Sequence, residues 1–498
     1  MNGVASTAPV QSWCGRFLAA ALMLALPIGC AVGPEYRRPD AVPVMPEGYA
    51  GASGEWKVAT PQANLAKGAW WEIFADPELD RLEAEAEQAN QDLRAAAARF
   101  AQARASADAA RSGLFPRIGA ALSAVRQRDS ASRPLSTTGG AAGKSFSYDN
   151  LSVPFDAGYE VDLWGRVRWQ IEGARAGEEA AADDLEAMKL SISAEVAVDY
   201  FTLRSLEAEK AALTESLAAY RRALELTRDR RHGGLASDLD VAQAETVLHA
   251  AEAQLPALTQ TALRFEHALA VLVGQPASLF RLDGRPLVGE PPRIRPDLPS
   301  ELLERRPDIA AAERRMAAAN AAVGVAKAAF FPVVRLTGVT GFQSVSSGTL
   351  FDWPSRFWAV GASLALPLFD GGQRSAGVRA ARARYEETVA RYRQTVLKAF
   401  AEVEDQLAAQ RLLQEQLDGE TAAWVSARRQ LEIAQNRYRC GLVSYLQVTS
   451  AQSAALDHER MVVRLRGQQL AACVALVKSL GGGWQAGGAL DGGKPNDD

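Results

Sequence analysis

The sequence predicts a mainly α-helical chain that carries a short membrane β-sheet. Three observations point there. Two stretches, YEVDLWGRVRWQ (159–170) and LALPLFDGGQRS (364–375), start with apolar residues at every second position and turn helical in spacing past a glycine. The same order of motifs occurs twice along the chain. Each helical run extends for about 60 residues, five times the length of an ordinary globular helix.

The repeat fixes the order of the elements. RSGLFPRIGAALSAV (111–125) matches KAAFFPVVRLTGVTG (327–341), DLWGRVR (162–168) matches LFDGGQR (368–374), and RRHGGLASDLDVAQAE (230–245) matches RYRCGLVSYLQVTSAQ (437–452). Gly165 to Gly234 spans 69 residues and Gly371 to Gly441 spans 70. Pro116 to Gly165 spans 49, but Pro332 to Gly371 only 39. The surplus falls in SASRPLSTTGGAAGKS (130–145), a Ser/Gly-rich loop expected to face the outside. Each half therefore reads helix, strand, loop, strand, long helix, turn, helix. The expected organisation is a signal segment 1–29, an N-terminal extension 30–79, a first repeat 80–290, a second repeat 291–480 and a tail 481–498.

The strands carry the membrane signal. Leu151, Val153, Phe155, Ala157, Tyr159, Val161 and Leu163 alternate with Ser152, Pro154, Asp156, Gly158, Glu160 and Asp162. In the second half Trp358, Val360, Ala362, Leu364, Leu366 and Leu368 alternate with mostly small residues. The strands before them read shorter and weaker, at Ile118, Ala120, Leu122 and at Val334, Leu336. Period-two patterning over about ten residues fits strands of an outer-membrane barrel, and an ordinary soluble sheet is the alternative. Four strands cannot close a barrel, and an open sheet in lipid leaves backbone groups unpaired. Three chains with four strands each give twelve, an even number.

The helices read as a rod. Apolar residues fall at Leu185, Met188, Ile192, Val196, Leu203, Leu206, Leu213, Leu217, Tyr220 and Leu224, in steps of three, four and seven. Tyr385, Val389, Tyr392, Val396, Ala399 and Val403 continue the pattern in the second half. Each long helix would measure about 95–100 Å, and stretches 80–113 and 236–273, about 50 and 55 Å, would together run beside one of them. A conduit crossing the periplasm needs such a rod.

Composition agrees and excludes other classes. The chain has 498 residues, 48% hydrophobic and 23% charged, with a net charge of −4. That is neither disordered nor a polytopic helical membrane protein, and it gives no reason to expect a nucleic-acid partner. RFLAAALMLALPIGC (16–30) has one positive charge, an apolar run and Gly29-Cys30, which reads as a bacterial lipoprotein signal with Cys30 as the acylated residue. Ala31 in place of an aspartate favours an outer-membrane address. Cys440 and Cys473 lie 33 residues apart on mostly helical sequence, too far for a disulfide.

GCAVGPEYRRP (29–39), WWEIFADPELDRLEAEAEQANQDLRAAAARFAQARA (70–105), YEVDLWGRVR (159–168) and LLERRPDIAAAERRMAAANAAVGVAKAAFFP (302–332) resemble the outer-membrane lipoprotein channels of the TolC superfamily, NodT/OprM-like. The resemblance covers essentially the whole mature chain. It implies a homotrimer whose twelve-stranded outer-membrane β-barrel continues into a long periplasmic α-helical barrel, with a small mixed equatorial region. It also implies two partners, a periplasmic adaptor and an inner-membrane transporter of the resistance-nodulation-division (RND) type. Ser450 stands where many relatives have aspartate, and Pro27 interrupts the lipidation signal.

No catalytic constellation is present, and no cofactor or metal is expected. His232, His249, His267 and His458 lack metal-ligand spacing, and the glycine clusters at 233–235 and 481–483 lack the Lys-Ser/Thr of a phosphate loop. Pro307 and Asp308 of RRPD read as a helix start. The positions singled out are therefore structural. Gly165 and Gly371 sit at the strand-to-helix switches. Gly233, Gly234 and Leu235, with Gly441 and Leu442, form turns where an adaptor would dock. Tyr438, Arg439 and Leu446, with Asp238 and Asp240 as acceptors, are the expected periplasmic gate. The leading function is passive efflux of small molecules through a trimeric duct. The exit duct of a type I protein secretion system is the same-fold alternative, and a lipid-anchored coiled-coil scaffold without a pore is the third reading.

Overall fold

The computed structural model describes residues 31–41, 69–132, 145–285, 291–292 and 305–482. Cys30 and most of the 130–145 loop lie outside them. Helices α1 (Pro77–Ala89) and α2 (Gln91–Arg111) are followed by strands β1 (Arg117–Ala120), β2 (Ser123–Asp129) and β3 (Phe146–Val161). Then come α3 (Arg166–His232), α4 (Asp238–Leu272) and α5 (Pro307–Ala328). Strands β4 (Val333–Ser344) and β5 (Arg356–Ala365) precede α6 (Gln373–Arg439) and α7 (Tyr445–Ser479). The repeat is metrically close: α3 and α6 have 67 residues each, and α4 and α7 have 35 each.

Expectations change in detail: Leu163, Leu366 and Leu368, counted with the strands, lie past the ends of β3 and β5. The stretch 80–113 is not one helix. Asn90 breaks it, accepting from the N–H groups of Asp92 and Leu93 through its side-chain oxygen while its amide donates to the carbonyl of Leu272 at 2.9 Å. The side chain thus supplies the cap that restarts the helix. The second repeat's first strand is not weak either: β4 has 12 residues and is paired along both sides. Its partners decide this, not its own alternation.

The chain divides into two compact units, each drawing on both repeats. The first contains residues up to Pro39, Gln102–Glu179 and Arg314–Ala390. It holds an antiparallel sheet in which β1 and β2 pair in turn with one edge of β3, β3 pairs with β4, and β4 with β5. Because β1 and β2 keep one register against β3, the sheet has four staves. One face carries Ile118, Leu122, Leu151, Val153, Phe155, Tyr159, Leu336, Phe342, Trp358, Val360 and Leu364; the other carries Ser152, Asp156, Glu160, Arg335, Gln343 and Ser363. From Val161 to Leu151 the apolar face runs about 34 Å along the strand, or about 26 Å at a 40° tilt, the height of a hydrocarbon band. No described helix is long and apolar enough to cross a membrane.

The second unit contains Asp40–Ala101, Ala180–Glu313 and residues from Arg391 onward. Its core falls in two clusters along the helices. One gathers Trp70, Leu79, Leu82, Ile192, Val196, Tyr200 and Val474; the other gathers Leu213, Leu217, Tyr220, Leu248, Tyr438, Tyr445 and Leu456. Of the predicted seam, Ile192, Val196, Leu203, Leu213, Leu217, Tyr220 and Leu224 of α3 and Tyr392, Val396, Ala399 and Val403 of α6 are buried, the last four at 0% exposure, whereas Leu185, Met188, Leu206, Tyr385 and Val389 are only half-buried. Between the clusters the buried Glu209 accepts from Arg464 at 3.1 Å and Arg460 at 3.3 Å, tying α3 to α7. Cys440 is exposed, Cys473 is buried, and both are free thiols.

Candidate functional site

The strand-to-helix switches are built from a glycine and a capping aspartate. At the first, Gly165 has φ +81°, a conformation that costs a side-chain-bearing residue dearly. Asp162 then accepts from the N–H groups of Val167 and Arg168 at 3.0 Å each, and Arg168 pairs back to it at 3.2 Å. At the second, Gly371 and Gly372 have φ +60° and +91°, Asp370 accepts from Gly372 and Arg374, and Arg374 pairs back at 2.6 Å. The two aspartates are not equivalent in the repeat; the two arginines are. Either way a carboxylate meets the unsatisfied N–H groups of a 67-residue helix.

A strap lies against the first switch. Val32 N–H donates to the carbonyl of Trp164 at 3.0 Å, and Trp169 Nε1 donates to the carbonyl of Val32 at 3.1 Å. Asn320 donates to the carbonyl of Pro34 at 2.9 Å. A Cβ on Gly33 or Gly324 would fall within 2.6 Å of the Trp169 ring, so both glycines are spaces for that indole. The strap was invisible in the sequence, since nothing local marks Val32 or Asn320 as partners of Trp169 and Pro34.

The two turns have one geometry. After α3, Leu235 N–H donates to Arg230 C=O and Gly234 N–H to Arg231 C=O; after α6, Leu442 donates to Arg437 and Gly441 to Tyr438. Gly234 (φ +70°) and Gly441 (φ +74°) take the left-handed position that ends a helix this way, whereas Gly233 does not. Ser237 and Asp240 then start α4 as a reciprocal capping box. Leu235, Leu442 and Leu446 are exposed at the tip, by 71%, 68% and 58%.

The side chains expected to form a gate take distinct places. Tyr438 is buried within its own chain, edge-on to Tyr445 at 5.1 Å, and its hydroxyl has no partner among the described residues. Arg439 offers its carbonyl, not its side chain, to the neighbouring turn. Asp238 pairs with Arg231. Asp240 accepts from Ser237 and, at 3.4 Å, from the N–H of Tyr445. Burial works against its charge, but these hydrogen bonds and Arg230 prevail and hold its carboxyl below the usual range. Neither carboxylate meets Tyr438 or Arg439 within the chain. Besides Asp240, the residue that joins the turns is Arg230, which sequence reasoning missed; its repeat equivalent, Arg437, beside the singled-out Tyr438, was the available signal. Leu446 and Ser450 line a cleft with Arg429 and Arg437.

Among the described residues there is no cluster of three His, Cys, Asp or Glu side chains able to hold a metal. His458 pairs with Glu420 at 2.8 Å and His249 with Glu252 at 3.1 Å.

Comparison with known proteins fits this architecture. The family described as outer membrane efflux protein matches residues 82–275 and 298–482. The chain is 35% identical over 479 residues to the toluene efflux pump outer membrane protein TtgF of Pseudomonas putida, covering 94% of this chain and 97% of the relative. It is 33% identical over 480 residues to the outer membrane protein OprJ of Pseudomonas aeruginosa, covering 95% and 97%. The solved outer-membrane channel OprN superposes with a TM-score of 0.82 at 32% identity, covering 92% of this chain and 100% of that one. The chain belongs to the outer membrane efflux protein family, with the mainly α, membrane-β fold of the TolC-type trimeric channels, and is an efflux channel component of the outer membrane and not an enzyme.

Proposed function

We propose that three copies of this chain form a homotrimer that passively conducts small toxic compounds outward, from an inner-membrane RND transporter through a periplasmic adaptor. One observation carries the reading: the sheet has four staves, one apolar face, and two edges, β1/β2 and β5, with no strand partner among the described residues of the chain. In lipid, unpaired edges cost several kcal/mol for each bare group, so only closure with further copies satisfies them. Exposed Leu412, Val425 and Ile433 along α6 suit contact with a neighbouring copy. The secretion-duct alternative gains nothing from relatives whose names concern efflux.

In this reading the switches at Gly165 and Gly371 turn the wall from sheet to helix. The turns carrying Gly233, Gly234, Leu235, Gly441 and Leu442 present their leucines to the adaptor. The gate lies at the same end: Tyr438 and Tyr445 fill the space between the turns, Asp240 and Arg230 link them, Asp238 and Arg439 flank them, and Leu446 narrows the passage. Contacts of this kind are individually weak, so adaptor docking can open them. Cys30 carries the acyl anchor, two residues before Val32 of the strap.

Conductance across a planar bilayer tests the proposal. The purified assembly should be a trimer by mass and give discrete steps that grow when the adaptor is added. A trimer that inserts and never conducts would return the chain to the scaffold reading. Mass spectrometry of the mature N-terminus should find diacylglycerol on Cys30; a chain starting elsewhere sinks the anchor.

A further inference from the structure

The apolar face of the sheet does not end in neutral sequence. Toward the strand ends farthest from the glycine switches, the same face passes from Ala124 and Leu151 to Arg126, which lies opposite Asp149, and then to Arg128, opposite Ser147. On the other edge it passes from Val360 and Trp358 to Arg356, opposite Phe342. Strand alternation places all three arginines on the face that carries Val153 and Phe155, not on the face of Asp156 and Glu160.

Their neutralisation is incomplete. Arg126 meets Asp149 only at 3.8 Å and keeps 80% of its side chain exposed. Arg128 donates to the neutral Ser145 hydroxyl at 3.1 Å. Arg356 lies 3.9 Å from the ring centroid of Trp353, itself 71% exposed. Among the described strand residues of this face, three arginines and the single carboxylate of Asp149 therefore stand just beyond a band of hydrocarbon height, with Asp352 in the β4–β5 connection, beside exposed aromatic rings of the kind that sit at a membrane interface. Groups at that level of a barrel's outer wall meet lipid headgroups, and a guanidinium matches a phosphate by two parallel hydrogen bonds.

We propose that Arg126, Arg128 and Arg356, with Trp353 beside them, form a cationic collar that binds the phosphate groups of the outer leaflet's glycolipid. The inference rests on the membrane reading of the apolar face. β1/β2 and β5 are the two edges of the sheet, so closure with further copies brings Arg356 of one chain toward Arg126 and Arg128 of the next. The collar then becomes a continuous ring of such sites.

The test uses the full-length protein in detergent, with bis-phosphorylated lipid A and its dephosphorylated form as probes, followed by tryptophan fluorescence and native mass spectrometry. Wild type should bind the phosphorylated lipid about tenfold more tightly than the dephosphorylated one. Arg126→Gln/Arg128→Gln/Arg356→Gln should erase that preference, while Arg335→Gln, on the opposite face, should keep it. If the triple variant does not assemble, Arg128→Gln and Arg356→Gln singly should each weaken the preference about two- to fivefold. A preference unchanged in these variants, or equally lost in Arg335→Gln, overturns the collar. Full displacement of the lipid by millimolar inorganic phosphate would show a free-phosphate site and overturn the assignment to lipid. Channel conductance of the triple variant separates the two claims: a conducting trimer without the preference supports the collar, and a wild type that never inserts removes the membrane reading beneath it.

Discussion

Arg230 lies 4.9 Å over the ring of Tyr438, and its Nη1 donates to the carbonyl of Arg439 at 2.9 Å. One guanidinium at the end of α3 thus holds the end of α6. The contacts are worth about 1–2 kcal/mol per chain, enough to bias a closed state and too little to lock it. Arg230→Gln trimers should conduct more than wild type without the adaptor. Tyr438→Phe should leave conductance unchanged, because the lost hydroxyl is buried and has no partner among the described residues. Planar-bilayer recordings of both variants decide; the reverse pattern would make the Tyr438 hydroxyl the latch.

Ser450 shares its cleft with Arg429, Arg437 and Leu446. Charge rings set the ion preference of a narrow passage. Ser450→Asp should raise the cation-to-anion permeability ratio by about two- to fivefold, read as a shift in reversal potential under a salt gradient. An unshifted potential would place the cleft outside the conducting path.

Glu83 is 2% exposed, and burial first, then Asp80 and Glu87, push its carboxyl up to about 9. A carboxyl whose folded pKa is raised binds more protons folded than unfolded between about 4.5 and 9, so stability falls as pH rises through that window. Glu83→Gln should raise the melting temperature in detergent at pH 8 and have little effect near pH 4.5. A gain that is the same at both pH values would show that the residue's charge is not what destabilises.

The Trp169 indole occupies the space left by Gly324 and Gly33. Gly324→Ala places a Cβ 2.5 Å from the ring, so the indole must move and its bond to Val32 must stretch. The expected cost is about 1–3 kcal/mol, with faster proteolysis ahead of Pro34. An unchanged melt with unchanged protection would show that the strap does not depend on Trp169.

What the sequence by itself determined was everything set by periodicity. Alternation at 151–163 marked a membrane strand, steps of three, four and seven marked the buried stripe of α3, and the repeat fixed two long helices with two turns. These patterns are local: a residue's face in a strand or helix follows from its spacing. Tertiary structure decided what depends on partners far along the chain. Asn90 ends one helix because its amide reaches Leu272, 182 residues away. β4 is a full strand because β3 and β5 flank it, although its own alternation is poor. Within the chain Tyr445 and Arg230 enclose Tyr438, and Arg230 and Asp240 make the links between the turns. Hydrogen bonds and ring contacts are specific in distance and angle, so only folded coordinates could choose among the side chains that shared one end of the bundle.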